Sequence, residues 1–244
     1  MALHFLADGD AAVAAAPGDR VLLHGAEAHH AVAVRRVREG EEVTVGDGRG
    51  LWLTGVVTAP ITPKEVAITV TSRSVVAAPA RRIVLAQALA KGDRDELAVQ
   101  AATELGVDEI VPWQAARSVS RWEAAKAAKG VARWQSIARE AAKQAHRAWV
   151  PGVADLVTTA QLAARPGTLL VLEPTASVRL SHVALDGDGP LTVVVGPEGG
   201  ISPEELARLA GAGATLVRLG DTVLRTSTAG PAALSVLSAR LGRW

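Results

Sequence analysis

A glycine-rich loop at the end of an apolar run is the segment of this sequence best suited to hold a ligand. The run Leu191–Val195 continues directly into Gly196–Gly200, and Ser202 then begins a helix in which Glu205 completes a capping box. Glycines allow a ligand to approach the backbone closely, and the free N–H groups of such a loop can donate to it. The loop lacks the lysine and the glycine spacing of the common nucleotide-binding motifs, so a plain strand-to-helix turn is the alternative.

Two more apolar runs end in segments of similar character. Glu173-Pro174 follows Thr168–Leu172, and Gly220 follows Thr215–Leu219 and leads to Arg225. Ligands of open α/β sheets bind at the carboxyl ends of the strands, so we expect the three loops to form one pocket. Arg225 would place a fixed positive charge beside that pocket.

Strands that alternate with helices after residue 82 predict an α/β domain with a mostly parallel sheet. Apolar runs predict its strands at Ile83–Ala88, Glu109–Trp113, Thr168–Leu172, Leu191–Val195 and Thr215–Leu219. Spacing, caps and breakers predict its helices at Arg94–Leu105, at Trp122–Ala148, from Ser202 onward and at Thr228–Leu241. In the first of these helices we expect Leu97, Ala101 and Leu105 to face the core.

Short segments with β-branched residues or alternating polarity, before residue 73, predict a small β-barrel instead. They are Arg20–His24, Glu42–Gly46, Leu51–Thr58 and Glu65–Ser72, with a short helix at Gly25–Val37. The stretch 73–81 contains a proline and is interpreted as a linker. We therefore expect a barrel domain over 1–72, the linker over 73–81 and the α/β domain over 82–244.

Composition narrows the function classes. The chain has 244 residues, of which 49% are hydrophobic and 21% charged, and it has no cysteine, which excludes disulfides, thiolate metal sites and a cysteine nucleophile. His29 and His30 lack further ligands at a useful spacing, so we expect no metal. The first residues lack the basic region of a secretory signal, and no 18-residue apolar stretch occurs. These features predict a cytoplasmic protein without a membrane partner.

Positive charge is concentrated in one part of the chain. The formal net charge of the whole sequence is +1, whereas residues 115–150 contain eight basic and two acidic side chains, a net of +6. A local basic field on a nearly neutral protein favours the docking of a polyanion such as RNA. A solvated helix face is the alternative interpretation.

The order of these motifs resembles a known family. Gly196–Gly200, then Leu219-Gly220, then Leu224–Thr226 is similar to the SPOUT methyltransferases that modify uridine N3 in 16S ribosomal RNA, the RsmE family. Further matching positions run through nearly the whole chain: His30, Arg36, Gly40, Asp47, Gly48, Lys91–Arg94, Glu96, Glu104–Val107, Pro112, Arg117, Arg133, Trp134, Glu140, Ala141, Gln144, Arg147 and Pro151. The sequence departs from the family pattern at His4 (often Arg), Asp221 (usually Pro) and Ser227 (often Glu).

The resemblance implies a fold, a cofactor and partners. It implies a C-terminal SPOUT α/β domain with a trefoil knot, preceded by a PUA-like RNA-binding β-barrel, and a homodimer whose substrate site draws on both subunits. S-adenosyl-L-methionine would lie in the knot, and the substrate would be 16S rRNA of the 30S ribosomal subunit. The residues expected to bind the cofactor are Leu172, Glu173, Pro174, Gly196, Pro197, Glu198, Gly199, Gly200, Leu219, Gly220, Val223, Leu224, Thr226 and Ala229.

Roles for individual side chains follow from the reaction that the resemblance implies. Arg225 would stabilise the uracil anion formed on loss of the N3 proton, or would pin the knot through a salt bridge. Glu198 would act as the base or hold the loop, and Ser227 would cap the final helix. The tryptophans that would stack a flipped base, or lie in the core or at a dimer interface, are Trp113, Trp122, Trp134 and Trp149. The residues expected to contact RNA are Arg35, Arg36, Lys91, Arg94, Arg117, Arg133 and Arg147.

Three other functions stay open at this point. A catalytically silent RNA-binding adaptor on the same fold would have no need of a pocket at Gly196–Gly200. A dinucleotide-binding enzyme would need a glycine-rich loop after the first strand, and Ile83–Ala90 contains none. A related methyltransferase that acts on another RNA, or on a ribose hydroxyl, would share the fold but not the full motif order.

Overall fold

The computed structural model describes residues 2–7 and 10–244, which fold into two compact units. The first unit contains the described residues up to Ala78 together with Ala142–Val150, and the second contains Pro79–Ala141 and Pro151–Trp244. No helix within the described residues is long and apolar enough to cross a membrane.

The first unit is built on a sheet that, among its described residues, has five strands in the order β1-β3-β4-β5-β2. The pairing of β1 with β3 is parallel and the others are antiparallel. Its elements are β1 (Leu3–Leu6), α1 (Asp10–Ala14), β2 (Arg20–His24), α2 (Gly25–His29), a π-helical turn (His30–Val34), β3 (Glu42–Gly46), β4 (Leu51–Ile61) and β5 (Glu65–Val75).

Alternating burial explains why these strands form. Every second residue at the start of β4 is buried, as expected for a strand with one face on a core. That core includes Phe5, Leu23, Val43 and Leu53. Pairing of β5 continues to Val75, so strand structure runs three residues into the segment 73–81 that the sequence suggested as a linker.

The segment 142–150 packs in the first unit, although the sequence analysis assigned it to the α/β domain. His146 adopts a left-handed conformation with φ 53°, and the Arg147 N–H donates to Ala142 O, which ends the preceding helix in a Schellman-type turn. The chain then lies along the loop between β3 and β4, where the Gly50 N–H donates to Ala148 O and the Val150 N–H donates to Gly48 O.

A buried ion pair joins this segment to α2. Lys143 Nζ lies 2.8 Å from Glu27 Oε1, and the two side chains are only 6% and 12% exposed. Burying either charge alone would be strongly unfavourable, so each is tolerated because the other is present.

The second unit contains an eight-stranded sheet in the order β11-β13-β10-β12-β6-β7-β8, with β9 also paired to β7. All of these pairings are parallel. Apart from the end of α4, its elements are β6 (Ile83–Ala88), α3 (Arg94–Glu104), β7 (Glu109–Gln114), α4 (Ala124–Gln144), β8 (Gly152–Val153), β9 (Val157–Thr158), α5 (Thr159–Ala163), β10 (Thr168–Leu172), β11 (Val178–Arg179), a 3₁₀ turn (Leu180–His182), β12 (Leu191–Val195), α6 (Pro203–Gly211), β13 (Thr215–Arg218) and α7 (Thr226–Arg240).

Both faces of this sheet are covered, which confirms the interpretation of its continuous apolar runs. In β12, Val193 and Val195 belong to a core cluster that includes Leu234 of α7. Val194 belongs to the cluster on the other face, with Leu209 of α6. A strand buried on both sides needs apolar residues at every position rather than at alternate ones.

The predicted core face of α3 is confirmed for Leu105, which packs against the core, but is wrong for Leu97. Leu97 is 49% exposed, whereas Ala98, Val99 and Ala102 are fully buried. Val99 and Ala102 share a core cluster with Ala233 of α7. Small side chains let the two helices approach closely. The face of α3 that is buried against α7 therefore carries the smaller residues and not Leu97, the larger apolar side chain.

Candidate active site

The loops after β10, β12 and β13 meet at one edge of the parallel sheet and enclose a single cavity of about 410 Å³. This volume lies in the usual range for small-molecule sites, roughly 300–1,000 Å³. Thirteen of the fourteen residues predicted to bind a cofactor line it: Leu172, Glu173, Pro174, Gly196, Pro197, Glu198, Gly200, Leu219, Gly220, Val223, Leu224, Thr226 and Ala229. The three loops therefore do form one pocket, as their positions at strand ends suggested.

Gly199 is the predicted residue that does not line the cavity. A Cβ at this position would lie 3.3 Å from Arg117 Cβ, so its backbone faces that side chain instead. Arg117 Nη1 also donates to Gly199 O at 3.2 Å. The physical role of this glycine is to admit the Arg117 side chain.

Two other positions of the loop require glycine for steric or conformational reasons. A Cβ at Gly196 would lie 2.7 Å from Ile201 Cγ1, and Gly200 has φ 72°, a conformation that L side chains rarely adopt. The helix that follows is capped as predicted: Ser202 Oγ accepts the Glu205 N–H and Glu205 Oε2 accepts the Ser202 N–H. Glu205 Oε1 also accepts the Ala116 N–H at 2.8 Å.

The Glu198 carboxylate is held by partners that favour its charged form. Its Oε1 accepts the Lys91 N–H at 3.0 Å and a hydrogen bond from Arg94 Nη1 at 2.9 Å. Partial burial raises the pKa of Glu198, but hydrogen bonds from its own backbone and from Lys91, together with the Arg94 guanidinium, outweigh this and lower the pKa below its usual value. A carboxylate with a lowered pKa is a poor base, so the geometry supports the loop-holding role.

Arg225 stands on the cavity wall and is exposed. The salt bridge considered from the sequence is not present among the described residues. Val223, also on the wall, is 79% exposed. The guanidinium is therefore available to a ligand in the cavity.

The predicted cap at Ser227 is wrong. Helix α7 begins at Thr226 with Arg225 at the N-cap position, and no side chain caps it. Ser227 lies within the first helical turn, two residues after the N-cap position, where its side chain cannot accept the free N–H groups as an N-cap does. Thr226 has instead a buried hydroxyl, which donates to Gly196 O at 2.9 Å.

The predicted RNA contacts fall into three groups. Lys91, Arg94 and Arg117 lie around the glycine loop in the second unit. Arg133 is engaged with Glu96, to which its Nε and Nη2 both donate. The first unit contains the remaining three, Arg35, Arg36 and Arg147.

Two of the four tryptophans singled out in the sequence are fully buried and two are partly buried. Trp113 and Trp134 are at most 1% exposed, which confirms the core interpretation for both. Trp122 packs edge-on against Trp134, with ring centroids 5.2 Å apart. Trp149 Nε1 donates to Val76 O at 2.9 Å within the first unit.

In addition, no group of three or more metal-ligating side chains occurs among the described residues.

Sequence reasoning missed several residues at this site. Val195, Ile201, Val217, Arg218 and Thr222 also line the cavity, as does Arg94, which had been considered only for RNA. Gln87, near the end of β6, donates from Nε2 to Thr226 Oγ1 at 2.9 Å. Its signal was visible in the sequence, because it is the one polar residue in the apolar run Ile83–Ala88.

Comparisons with known proteins agree with this architecture. A family model described as an RNA methyltransferase domain matches residues 77–238, and one described as an RNA methyltransferase PUA domain matches residues 23–71. Ribosomal RNA small subunit methyltransferase E from Mycobacterium bovis is 41% identical, over 93% of this chain and 89% of that protein. The protein of the same name from Bacillus subtilis is 32% identical, over 88% of each.

A solved structure is similar over almost the full length. The Neisseria gonorrhoeae ribosomal RNA small subunit methyltransferase E, bound to S-adenosyl methionine, superimposes with a TM-score of 0.86 at 28% identity, covering 98% of both chains. The parallel sheet, the pocket formed by its loops and the N-terminal unit together define an RNA methyltransferase of the SPOUT type with a PUA domain. The chain belongs to the ribosomal RNA small subunit methyltransferase E family. The mostly parallel SPOUT-type α/β domain, the PUA domain that precedes it and the family expected from the sequence are thereby confirmed.

Proposed function

We propose that this protein transfers a methyl group from S-adenosyl-L-methionine to N3 of a uridine in 16S rRNA of the small ribosomal subunit. The observation that carries the proposal is the cavity built by three strand-end loops, with the guanidinium of Arg225, which has no ion-pair partner among the described residues, on its wall. The names of the relatives and the cofactor bound to the Neisseria protein support methylation of small subunit rRNA from S-adenosylmethionine, and N3 of uridine is the finer part of the proposal.

The residues present fit this cofactor. The cavity is large enough, and nothing lies within 4 Å of the place a Cβ would take at Gly220, so the backbone there is open to a ligand. Backbone groups of the three loops would hold the cofactor. When bound, S-adenosylmethionine would supply a methyl group carried on a sulfonium sulfur. Transfer would exchange the S–CH₃ bond for an N–CH₃ bond at uridine N3, with a neutral thioether as the leaving group. The N3 proton would be released to solvent.

The chain's own task is positioning and charge stabilisation, because the leaving group is neutral. Arg225 would stabilise the negative charge that develops on the uracil carbonyl oxygens when N3 loses its proton. Glu198 would keep the loop in place through Lys91 and Arg94. No carboxylate or imidazole needs to act as the base in this scheme.

Binding of RNA would involve both units, each contributing basic side chains. Arg36 adopts φ 56°, a left-handed conformation that is uncommon for a residue other than glycine and concentrates at functional positions. Arg35 beside it is exposed. The contacts of Arg94 and Arg117 with the cofactor loop would place RNA phosphates close to the methyl donor.

The proposal extends to the assembly and the topology. We propose that residues 1–72 serve as the PUA-like domain and that residues 82–244, apart from Ala142–Val150 in the first unit, serve as the catalytic domain. We also propose that the tail is threaded as a trefoil knot and that the protein acts as a cytoplasmic homodimer. In support of the knot, β13 lies outside β10 in the sheet, whereas α7 packs against β12, β6 and α3. Exposed Val223 and Leu224 beside the cavity support a subunit contact.

The deciding experiment is methyl transfer from labelled S-adenosylmethionine to 30S particles that lack the modification, followed by mass spectrometry of the nucleosides. We expect the label in N3-methyluridine. Label in ribose, cytosine or protein would overturn the proposal. No cofactor binding by calorimetry at millimolar concentration would favour the RNA-binding adaptor.

A further inference from the structure

Gln87 is a buried amide at the carboxyl end of a strand that is otherwise apolar. Its side chain has no exposed surface. Its Nε2 donates to Ala88 O at 3.1 Å and to Thr226 Oγ1 at 2.9 Å. Burial of an amide lowers stability unless the amide is hydrogen-bonded. An apolar side chain at this position would give a more stable core, so the bond to Thr226 points to a function.

The hydroxyl of Thr226 is used in both directions. It donates its single proton to Gly196 O at 2.9 Å and accepts from Gln87. Because a hydroxyl has one proton, the direction of both bonds is determined: the amide donates to the hydroxyl and the hydroxyl donates to the carbonyl. The three residues form a relay that joins the end of β6, the start of α7 and the first residue of the glycine loop.

This relay lies directly behind the proposed catalytic group. Thr226 follows Arg225 in the chain, and Gly196, Arg225 and Thr226 all line the cavity. The bond between Thr226 and Gly196 thus connects two parts of the site that must be aligned in the reaction, the backbone that carries the guanidinium and the loop that would hold the cofactor. Gln87 fixes the Thr226 hydroxyl from the end of β6. We propose that Gln87 and Thr226 are positioning residues that set Arg225 against the cofactor loop, an inference that rests on the proposed function.

Variants of Thr226 separate positioning from binding. Thr226→Val keeps the shape but removes the hydroxyl, and misplacement by about 1 Å can lower a rate roughly 100-fold. We therefore expect kcat to fall by about 10- to 100-fold, with the Kd for S-adenosylmethionine changed by only about threefold. Thr226→Ser retains the hydroxyl and should restore most of kcat, which a mere packing role would not predict.

Thr192→Val is a matched control in the same sheet. Thr192 is also buried, its Oγ1 has no hydrogen-bond partner in the part of the chain that the structure describes, and it does not line the cavity. Its hydroxyl can be removed without breaking a bond, so both kcat and thermal stability should stay at the wild-type level or above.

The sharpest test combines the relay with its target. In an Arg225→Ala background, Thr226→Val or Gln87→Met should lower kcat no further, because the relay would act only through the missing guanidinium. If Thr226→Val does not fold, Gln87→Met tests the same inference. Independent, multiplicative losses would overturn the inference, as would wild-type kcat in both single variants or a failure of Thr226→Ser to restore activity.

A change confined to the Kd for the cofactor would also overturn the inference, since the relay would then serve the loop alone. Failure of the proposed function is distinguished beforehand, because the wild-type protein would then neither bind S-adenosylmethionine nor methylate 30S particles.

Discussion

Arg94 Nη1 donates to Glu198 Oε1 at 2.9 Å, and this contact ties the start of α3 to the glycine loop. The same oxygen accepts the Lys91 N–H. One carboxylate thus holds the Lys91 backbone and the Arg94 side chain, two residues that we propose contact RNA. The arrangement assigns Glu198 to the architecture of the loop.

We expect Glu198→Gln to retain kcat within about threefold, because an amide oxygen still accepts both bonds although less strongly than a carboxylate. Glu198→Ala removes both bonds and should raise the Kd for S-adenosylmethionine about tenfold. Calorimetry and turnover at saturating cofactor measure the two quantities. A collapse of kcat in Glu198→Gln at saturation would instead identify this residue as the base.

We expect Arg225→Ala to lower kcat by about 100- to 1,000-fold, as is typical when a group that stabilises developing charge is removed. Affinity for the cofactor should change little. Arg225→Lys, which keeps a charge but not the planar guanidinium, should recover part of the loss. If cofactor binding fails and turnover survives at saturation, the residue supports the structure and not the chemistry.

The sequence predicted the pocket better than it predicted the contacts behind it. Strand-end loops and the capping box at Ser202 are local patterns, and each was located from adjacent residues. Gln87 and Thr226 are 139 positions apart, so no local pattern connects them. Leu97 was misplaced because helical spacing identifies an apolar stripe but not the small-residue face that another helix requires.

His4 should make the stability of the first unit depend on pH. Its ring stacks on Trp52 at 4.4 Å and its Nδ1 lies 2.9 Å from Thr44 Oγ1. Burial, followed by repulsion from His146 and Lys143, lowers the pKa of His4 from 6.5 to about 4. The folded state therefore holds the ring neutral, and its contribution to stability is full above pH 6.5 and is lost as the pH falls towards 4.

We expect the free energy of unfolding to decrease by roughly 3 kcal/mol over that interval because of His4. His4→Phe, which keeps the stacking but cannot be protonated, should flatten the dependence in urea titrations at several pH values. His182→Gln changes an exposed histidine and should leave the slope as it is. An unchanged slope in His4→Phe would show that other groups titrate.

Gly230 should not tolerate a side chain. A Cβ there would lie 2.9 Å from Leu85 Cδ1 in the fully buried core, so Gly230→Ala should destabilise the protein by about 1–3 kcal/mol. Gly211→Ala, where nothing lies within 4 Å, should be neutral or stabilise the end of α6 by up to about 1 kcal/mol. Thermal unfolding compares the two, and equal melting temperatures would contradict the close packing of α7 on β6.

Arg35→Ala should weaken RNA binding and reduce the slope of log Kd against log salt concentration by about one, since one phosphate contact is lost. Arg208→Ala removes a charge from α6 that is likewise exposed and should leave the slope unaltered. Filter binding over a series of salt concentrations provides the measurement. Equal slopes for both variants would remove Arg35 from the RNA contacts.

The ion pair between Lys143 and Glu27 restricts how the gene can be divided. The first unit takes nine of its residues, Ala142–Val150, from the middle of the chain, so no single cut releases it whole. A fragment that stops at Ala78 would leave a carboxylate stranded without its counter-ion. An N-terminal unit exchanged between relatives should therefore fold only when the segment Ala142–Val150 is exchanged with it.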